Sequence, residues 1–554
     1  MRQTTHKKNS LTHRAGSVLI VVLILVVLLS LAAFRYTDLM ITEFTSANMY
    51  GRRLQTQSFA DSGVEMAADL ISNRTFEAGE NLIHDDANFN GISLVEGEIP
   101  RENGRFSLIT ADERDENFNQ VRFGLVSESG KLNLNYLPVL ESLFVAVDED
   151  GNDTGVVGQE FYDALANIPG LDDPIVVDSI LDWIDEDDEP RLNGAETSYY
   201  QGLANPYECK NGPIESFDEL LKIQGITAAT LYGEDGNRNG LLDKNEDDGA
   251  ASAPEDDEDG ILNVGLLGYC TIRSTETNAR GDGTDRINLN QGLMTELYDA
   301  IAEEFDEETA TFVVAYRLFG SEDAVADEDG SSLTVSQEEV ATALGSAIGG
   351  DVDGSVTRGG LDLSQPAQFE FTALFELVDA EVIAEVNGVQ TTLVSPWDSG
   401  SLEDMLPVLF DTFGLTDDAF IDNRIDPNFA RREVLLTIPG VDAEIADGIV
   451  GSSVVSADGS INDRLLSSHA TPGWLFLEDI VDLPTMRSIE QYLTTRGDIY
   501  RTQVVGYFDE GGPFSRVEAL IDGTEYPARI LSVSDLTPLG RGYSAVQLGL
   551  EVEE

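Results

Sequence analysis

A basic leader that runs directly into an uncharged apolar segment constrains this chain more than any other feature. The leader, residues 2–14, carries four basic side chains and no acid, and residues 17–34 carry no charge at all. At about 1.5 Å per residue, the apolar segment spans roughly 27 Å as a helix, which matches the hydrocarbon core of a bilayer. Because basic flanks stay on the cytoplasmic side, we predict one membrane crossing with the C-terminal body on the far side.

Two processing patterns fit this junction. Gly16 lies at the boundary between the basic and apolar segments, directly before Ser17, and type IV prepilins are cut after such a glycine on the cytoplasmic face. An ordinary cleaved secretion signal is the alternative, because Ser30, Leu31 and Ala32 form a small-x-small site behind a signal-length apolar stretch. We predict cleavage between Gly16 and Ser17, which keeps the apolar segment in the mature protein.

The apolar segment is predicted to continue into a longer helix. Apolar side chains recur at helical spacing as far as Leu70, and no proline interrupts them. A helix over residues 17–72 would be on the order of 80 Å long, half in lipid and half as a spine for a folded domain. Gly51 and Gly63 are the weak points of this prediction.

The fifth residue after the predicted cleavage site is Val21. In filaments of the pilin class this position is typically a glutamate, which is thought to neutralise the buried terminal amine of a neighbouring subunit. An unpaired charge in apolar surroundings is costly. A subunit without the glutamate is therefore poorly suited to the middle of a filament and better suited to its end.

The composition excludes some partners. The chain has 102 Asp and Glu against 33 Lys and Arg, a formal net charge of −69. Such a body repels nucleic acid, because non-specific DNA affinity depends on basic side chains that contact phosphates. It also favours bound cations. With 42% apolar residues the chain can still build cores, and its 554 residues predict several domains.

Two cysteines, Cys209 and Cys270, are the whole cysteine content. In an exported body they can form a disulfide, which the chain-entropy model values at roughly 4 kcal/mol for a loop of this size. Two unpaired buried thiols are the alternative. The sequence leaves both open.

The chain is predicted to repeat itself. A strand that ends in Gly130–Asn135 precedes a helical block, and the same ending returns at Asp285–Asn290 before a second block. Similar hairpin-like phrases, Ile168–Leu171 and Ile438–Val441, follow the two copies. We predict an α+β fold in which a long N-terminal helix packs on an antiparallel sheet, interrupted by large helical, helix-hairpin-helix-like inserted modules.

The predicted segments follow from these boundaries. They are the leader (1–16), the transmembrane and spine helix (17–72), pilin-like strands (73–140), a first helical module with an EF-hand-like loop (141–268), a returning strand (269–295), a second helical module with an acidic insert (296–498) and C-terminal strands (499–554).

Several segments resemble a known family. They are the leader and apolar helix without the fifth-position glutamate, the strand ending Gly130–Asn135, and Leu181–Arg191, Gly194–Tyr200 and Lys210–Leu221. Together they resemble the minor pseudopilin K of type II secretion systems, the GspK family, over about residues 10–290. The second module and the acidic segment from Gly320 to Asp362 exceed the usual family pattern.

The resemblance implies a structural role in protein secretion. Members of the family have a pilin-like core interrupted by a large helical domain, and they are believed to sit at the tip of a short periplasmic pseudopilus with the minor pseudopilins I and J. For this chain, the resemblance implies cleavage and methylation by prepilin peptidase, contact with the inner-membrane secretion platform, and a single-pass location in the inner membrane with a periplasmic body.

The sharpest chemical motif is Asp235–Glu246, which matches the twelve-position EF-hand calcium loop at every ligand place. Oxygens at positions one, three, five, nine and twelve and a carbonyl at seven surround a hard cation, and glycine at six permits the sharp turn. The predicted calcium ligands are the side chains of Asp235, Asn237, Asn239, Asp243 and Glu246 and the carbonyl of Leu241. An acidic solvated turn is the alternative. Imperfect echoes begin at Asp150 and Glu255.

The sequence gives little support for catalysis. His84 and His469 are the histidines outside the leader, without a metal-binding or catalytic pattern around them. The acidic run over residues 182–189 is typical of a solvated turn or a cation site. We predict a non-enzymatic minor pseudopilin that caps or initiates a pilus-like filament. The alternatives are a free periplasmic or surface calcium-binding adhesin and, more remotely, a hydrolase that uses carboxylates.

Overall fold

The computed structural model describes residues 15–73, 85–111, 121–147, 153–256, 258–321, 356–452, 454 and 462–550. The predicted leader up to residue 14, His84, Asp150 at the start of the first loop echo, and most of the acidic segment between Gly320 and Asp362 lie outside the described residues.

The described α-helices are distributed along the whole chain. They are α1 Ala15–Asn73, α2 Asp86–Phe89, α3 Leu137–Leu143, α4 Gln159–Leu165, α5 Pro174–Ile184, α6 Thr197–Tyr200, α7 Phe217–Leu220, α8 Ala228–Tyr232, α9 Gly265–Tyr269, α10 Met294–Glu304, α11 Glu307–Phe319, α12 Leu402–Thr412, α13 Arg432–Leu435, α14 Ala443–Gly451, α15 Asp463–Ser468, α16 Trp474–Leu477 and α17 Leu483–Ile489.

The described strands are short in the middle of the chain and long near its end. They are β1 Ile92–Val95, β2 Gly104–Ala111, β3 Val121–Arg122, β4 Val126–Ser127, β5 Leu132–Asn133, β6 Val145–Val147, β7 Asp153–Val157, β8 Cys270–Thr271, β9 Thr275–Thr277, β10 Ile287–Asn288, β11 Thr357–Arg358, β12 Leu361–Asp362, β13 Glu381–Val386, β14 Val389–Val394, β15 Phe413–Gly414, β16 Phe420–Asp422, β17 Ile499–Phe508, β18 Ser515–Asp522 and β19 Arg529–Asp535.

Helix α1 is one continuous element of 59 residues, about 88 Å long at helical rise. The predicted long helix is confirmed, and neither Gly51 nor Gly63 interrupts it. Its large apolar side chains are exposed as far as Leu54, and burial begins at Thr56 and Phe59. Within the described part of the chain, α1 is the one helix long and apolar enough to cross a membrane. Its first half therefore projects from the body, and its second half packs on it.

The second half of α1 packs on the largest sheet of the described residues, which has seven strands. The order is β1-β2-β17-β18-β19, with β3 beside β2 and β4 beside β17, and all neighbours are antiparallel. Phe59, Val64 and Ile71 of α1 share one buried core with Phe106 and Val504 of the sheet. The predicted α+β fold, a long helix on an antiparallel sheet, is confirmed.

The strands of this sheet come from two separate parts of the chain, one that ends at Ser127 and one that begins at Ile499. Strands β2 and β17 pair from Gly104 opposite Phe508 to Ile109 opposite Gln503. Between Ser127, where β4 ends, and Ile499, where β17 begins, no described strand joins this sheet. The helical segment between these residues is therefore an insertion into a pilin-like core.

Two predicted strands differ from the structure. The predicted strand that ends in Gly130–Asn135 is not one element. Residues 121–136 are divided into β3, β4 and β5, and 3₁₀ turns at Glu128–Gly130 and Leu134–Tyr136 follow β4 and β5. The predicted returning strand (269–295) contains β8 and β9 in its first part, residues 269–277, and these pair inside the insertion with β5 and β16. The apolar and β-branched side chains of these segments correctly indicate extended backbone, but they do not determine which strand each segment pairs with.

The insertion repeats a small unit built on an asparagine turn. Parallel pairs β5–β8 and β10–β15 start two copies, and a parallel bridge between Ile425 and Leu493 marks a third. Asn135, Asn290 and Asn428 occupy the same place in the three copies. The main-chain N of each donates to the carboxamide or carboxylate two residues before it, at 3.0, 2.8 and 2.9 Å.

The side chain of this asparagine donates hydrogen bonds to main-chain carbonyls of the segments that complete each copy later in the chain. The Asn135 amide donates to the carbonyls of Ile214 and Ile272 at 3.0 and 2.8 Å. In the second copy, Asn290 donates to Phe371 O and Leu415 O at 2.8 and 3.1 Å. A single polar side chain thus closes a long loop in each copy, which explains why the Leu-Asn-Leu-Asn and Ile-Asn-Leu-Asn phrases return in the sequence.

Gly63 permits the close approach of α1 to the sheet. A methyl group there would overlap Val504 and lie 2.8 Å from Phe106 Cδ2, whereas Gly51 has open space around it. We predict that Gly63→Ala lowers the free energy of unfolding by about 1–3 kcal/mol through overpacking. The control Gly51→Ala should leave it unchanged or raise it by up to about 1 kcal/mol, because alanine favours helix. Urea unfolding of the detergent-solubilised variants measures both, and equal stability would contradict the packing argument.

Candidate functional site

The predicted calcium loop, Asp235–Glu246, is a compact turn that follows helix α8. Gly233 ends α8 with a left-handed backbone, and Lys244–Glu246 closes the loop as a 3₁₀ turn. Gly240, the sixth loop position, has φ of +69°. Only glycine adopts this region without strain, so the sharp turn that an EF-hand loop needs at position six is present.

The two acids at the ends of the loop are buried and bind its main chain. Asp235 Oδ1 and Oδ2 accept hydrogen bonds from the main-chain N of Asn239 and Gly240 at 3.0 and 2.9 Å. Glu246 Oε2 accepts from Asp243 N at 3.0 Å. These bonds fold the chain so that the first, ninth and twelfth positions turn toward one another.

The middle positions converge on Asp243. The side-chain amides of Asn237 and Asn239 donate to Asp243 Oδ2 at 2.6 and 3.1 Å. Asn237 Oδ1 is buried and has no hydrogen-bond partner in the part of the chain that the structure describes. A buried carbonyl oxygen without a donor is costly, and carboxamide and carboxylate oxygens are the ligands that calcium prefers. The donor set of the loop therefore fits a hard cation.

The electrostatics of the loop also favour a cation. Burial raises the pKa of Asp235 to about 6. Burial, together with the neighbouring Asp235 and Asp243, raises the pKa of Glu246 to about 7. A bound divalent ion stabilises the ionised form of such carboxylates, because it supplies a positive charge beside them.

A second carboxylate cluster lies in the first copy of the repeated unit. Single oxygens of Asp182, Asp185 and Glu196 lie within 4.8 Å of one another. Arg191 Nη1 contacts Asp182 Oδ1 at 2.9 Å and Asp185 Oδ2 at 2.5 Å, and its Nη2 contacts Glu141 Oε2 at 3.0 Å. The acidic run that composition describes as a solvated turn is thus partly an internal ion-pair network.

Glu196 is the member of this cluster that the sequence analysis missed. Its side chain is 1% exposed. Burial, with Asp182 and Asp185 nearby, raises its pKa to about 7. In the first copy of the unit, Trp183 follows Asp182 and donates to Glu219. In the second copy, Tyr316 has the corresponding place and donates to Glu376, but the residue before it is Ala315. The second copy therefore does not repeat the acid at Asp182.

The two cysteines are separate, buried thiols in this structure. Cys209 Sγ lies 3.5 Å from Asp182 O, whereas Cys270 begins β8 and pairs with Leu132. Burial raises the pKa of both thiols to about 12. Of the two alternatives that the sequence leaves open, the structure has the two buried thiols, because the tertiary structure places each one in a different part of the unit's core.

Comparison with known proteins assigns this part of the chain. Residues 130–232 match the family model "Type II secretion system (T2SS), protein K". Over these residues the chain is similar to protein K of type II secretion systems. The resemblance noted in the sequence is thereby confirmed, and the predicted calcium loop, Asp235–Glu246, begins just after the matched residues.

Individual relatives match over short segments. The chain is 46% identical over 52 residues to a putative type II secretion system protein K of Escherichia coli K12, which covers 9% of this chain and 16% of that protein. It is 39% identical over 54 residues to type II secretion system protein K of Klebsiella pneumoniae, covering 10% and 16%. The chain thus spans about a sixth of the length of these relatives.

One solved structure matches more broadly at low similarity. It is the crystal structure of the GspK-GspI-GspJ complex of enterotoxigenic E. coli, with a TM-score of 0.29 and 11% identity over 89% of this chain and 99% of that chain.

Two features that the sequence analysis weighed, His469 and the second loop echo, have local partners in the structure. His469 is fully buried, stacks on Trp474 with 3.9 Å between ring centroids, and has Nε2 2.8 Å from Glu478 Oε1. In the second loop echo, the described Asp256 accepts from the main-chain N of Asp248 and Gly249, as in a closed acidic turn.

Asp498 is a buried acid at the junction between the insertion and the sheet. Its Oδ2 accepts from Thr277 N of the insertion at 2.7 Å, and its carbonyl accepts from Gly523 N after β18 at 2.8 Å. Burial and the nearby Asp522 raise its pKa to about 7. The folded protein therefore binds a proton at Asp498 more tightly than the unfolded chain does.

This raised pKa predicts the sign of a pH effect. The contribution of Asp498 to stability is fully present below about pH 4 and is lost as the pH rises through about 7. Thermal unfolding at a fixed calcium concentration should therefore show a lower midpoint at pH 8 than at pH 5, and Asp498→Asn should reduce this difference. Glu525→Gln, at an exposed position, is the control. An unchanged difference in Asp498→Asn would contradict the assignment.

Proposed function

We propose that this protein is a minor pseudopilin that occupies the tip of a type II secretion pseudopilus, helps to initiate its assembly and so supports protein export across the outer membrane. The observation that carries the proposal is the combination, in one chain, of a protein K domain with a continuous membrane-length helix that leads into a pilin-like sheet. The role is mechanical, and we propose no catalytic site.

The exposed half of α1 supports assembly with other helices. Val18 to Leu31 fit the lipid, and beyond the first charge at Arg35, exposed apolar side chains such as Phe44 and Tyr50 continue outside the predicted apolar segment. Outside lipid, such surface is stable only against other apolar surface. Neighbouring pilin-like helices provide it.

Two features favour the end of the filament over its shaft. Residues 17–37 of α1 contain no acid, so no carboxylate near Val21 neutralises the terminal amine of a neighbour. The insertion between Ser127 and Ile499 adds a large body to the pilin-like core between β4 and β17. A shaft subunit needs room for neighbours on both sides along the axis, whereas a terminal subunit needs it on one side.

The proposed partners are pilin-like subunits of the I and J types, since the solved complex named above contains GspI and GspJ with its GspK chain. We further propose that prepilin peptidase cleaves between Gly16 and Ser17 and that the mature helix enters the inner-membrane secretion platform. The body would then lie in the periplasm, tethered by one span.

The tip role predicts a specific location and a specific mature terminus. Mass spectrometry of the protein from its native membrane should show a chain that begins at Ser17, and co-purification in detergent should recover small pilin-like companions. Immunogold labelling should be confined to one end of each fibre. In Val21→Glu, which supplies the missing acid, label should also appear along the shaft, whereas the control Leu23→Glu should not show this. Labelling of native fibres along their length, or recovery of no companion, would contradict the tip role.

We propose in addition that Asp235–Glu246 binds calcium through Asp235, Asn237, Asn239, Asp243 and Glu246 and the carbonyl of Leu241. The unpartnered Asn237 Oδ1 and the two buried end acids support this proposal. The ion would organise an acidic segment that otherwise repels itself, and its binding would add to the stability of the folded state.

Calcium binding is testable by direct titration. We predict that Asp235→Asn and Glu246→Gln each weaken calcium binding by at least about tenfold, because each removes a charged ligand from the ion. The control is Asp259→Asn in the second echo, where Leu266 stands at the twelfth position. Isothermal titration calorimetry after chelator treatment measures all three. Equal affinities in Asp235→Asn and the native protein would place the ion elsewhere.

A further inference from the structure

We infer that the calcium loop is a latch between the insertion and the pilin-like sheet, so that cation binding and docking of the insertion on the sheet strengthen each other. This inference rests on the calcium proposal above. It adds that side chains outside the loop, on β18 and near the C-terminal end of the chain, control the affinity of the site.

Arg516 of β18 holds the main chain of the loop directly. Its Nη2 donates to the carbonyls of Asn237 and Arg238 at 2.6 and 2.7 Å, and its Nε donates to Gln503 Oε1 of β17 at 3.0 Å. The side chain is fully buried. A planar guanidinium that bonds two successive carbonyls fixes the peptide planes on both sides of Arg238, the fourth loop position, between the predicted ligands Asn237 and Asn239.

Position five of the loop is fixed from the C-terminal segment. Asn239 donates through its side chain to Gly542 O at 2.7 Å, and its own carbonyl accepts from the Tyr543 hydroxyl at 3.4 Å. The same hydroxyl lies 2.9 Å from Gln503 Oε1. Gln503 Nε2 in turn donates to Arg238 O at 2.7 Å. Sheet, C-terminal segment and loop thus share one hydrogen-bond network.

Position seven is fixed by packing. The side chain of Leu241, whose carbonyl is the predicted ligand, is 6% exposed and belongs to the core formed by α1 and the sheet. This core also contains Phe106, Val504 and Tyr543. Undocking the insertion would expose Leu241 to water and release the peptide unit that carries the ligand carbonyl.

The charges are consistent with this coupling. Three loop carboxylates, Asp235, Asp243 and Glu246, exceed a divalent ion by one negative charge. The Arg516 guanidinium lies against the main chain of the loop, where it donates to the carbonyls of Asn237 and Arg238. Its positive charge lies beside the loop and balances the one negative charge that remains when the three carboxylates hold a divalent ion.

Coupling of this kind is reciprocal by thermodynamic necessity. If docking orders three ligand positions, calcium binds the docked form more tightly, and calcium must then favour docking by the same factor. The latch does not need a large movement, because loosening of the network at Tyr543 and Gly542 is enough to uncouple the loop from the sheet.

The test measures both directions of the coupling in the full, detergent-solubilised chain. Tyr543→Phe removes the hydroxyl and keeps the ring, and Arg516→Lys keeps the charge and removes the fork. Each should weaken calcium binding by about fivefold or more, although neither residue is a ligand. The control is Tyr526→Phe, at a side chain that is 81% exposed. In the other direction, calcium should slow hydrogen exchange of residues 540–543 in the native protein and fail to do so in Asp235→Asn.

Each outcome decides one statement. Native calcium affinity in Tyr543→Phe, together with calcium-independent exchange at residues 540–543, would overturn the latch while leaving the calcium site in place. If the native protein binds no calcium at this loop, both the calcium proposal and the latch fail. Neither result bears on the tip role, which depends on the companions recovered and on the label position. If Arg516→Lys does not fold, Tyr543→Phe alone decides the first direction.

Discussion

The close contact between helix α1 and the seven-stranded sheet is the constraint on which the rest of the structure depends. Gly63 on the helix and Gly506 on β17 lie at this contact, and a side chain at either position would overlap the other element. This contact buries the second half of α1 and leaves the first half free to project. The helix can place its first half in lipid and pack its second half on protein, because only the second half contacts the sheet.

The sheet is equally dependent on long-range pairing. Strand β2 pairs with β17, which follows the whole insertion in the chain. The insertion carries its own core, in which an asparagine side chain closes each repeated unit. Such units can order locally, and the two ends of the insertion then meet at the sheet. This division explains how a small pilin-like core accommodates an inserted body that is larger than the core itself.

The acidic residues have different roles in different places. At Arg191 they form a partly buried network around one guanidinium, whereas in the Asp235 loop they bind main-chain amides, and the Asn237 Oδ1 has no partner among the described residues. The same composition therefore produces both a closed ion-pair cluster and a site suited to a cation. The positions of basic side chains, which are few in this chain, decide between the two.

The sequence by itself determined the long helix, the α+β class, the protein K resemblance and the loop turn at Gly240, because each depends on local periodicity or on residues close together in the chain. Only the tertiary structure decided the rest. The strand partners of Tyr269–Thr275, the entry of Glu196 into the acidic cluster, the separation of Cys209 from Cys270, and the docking of the loop on Arg516 all join residues distant in sequence. Local pattern carries no information on such pairs, since the burial that selects them exists only once the core is formed.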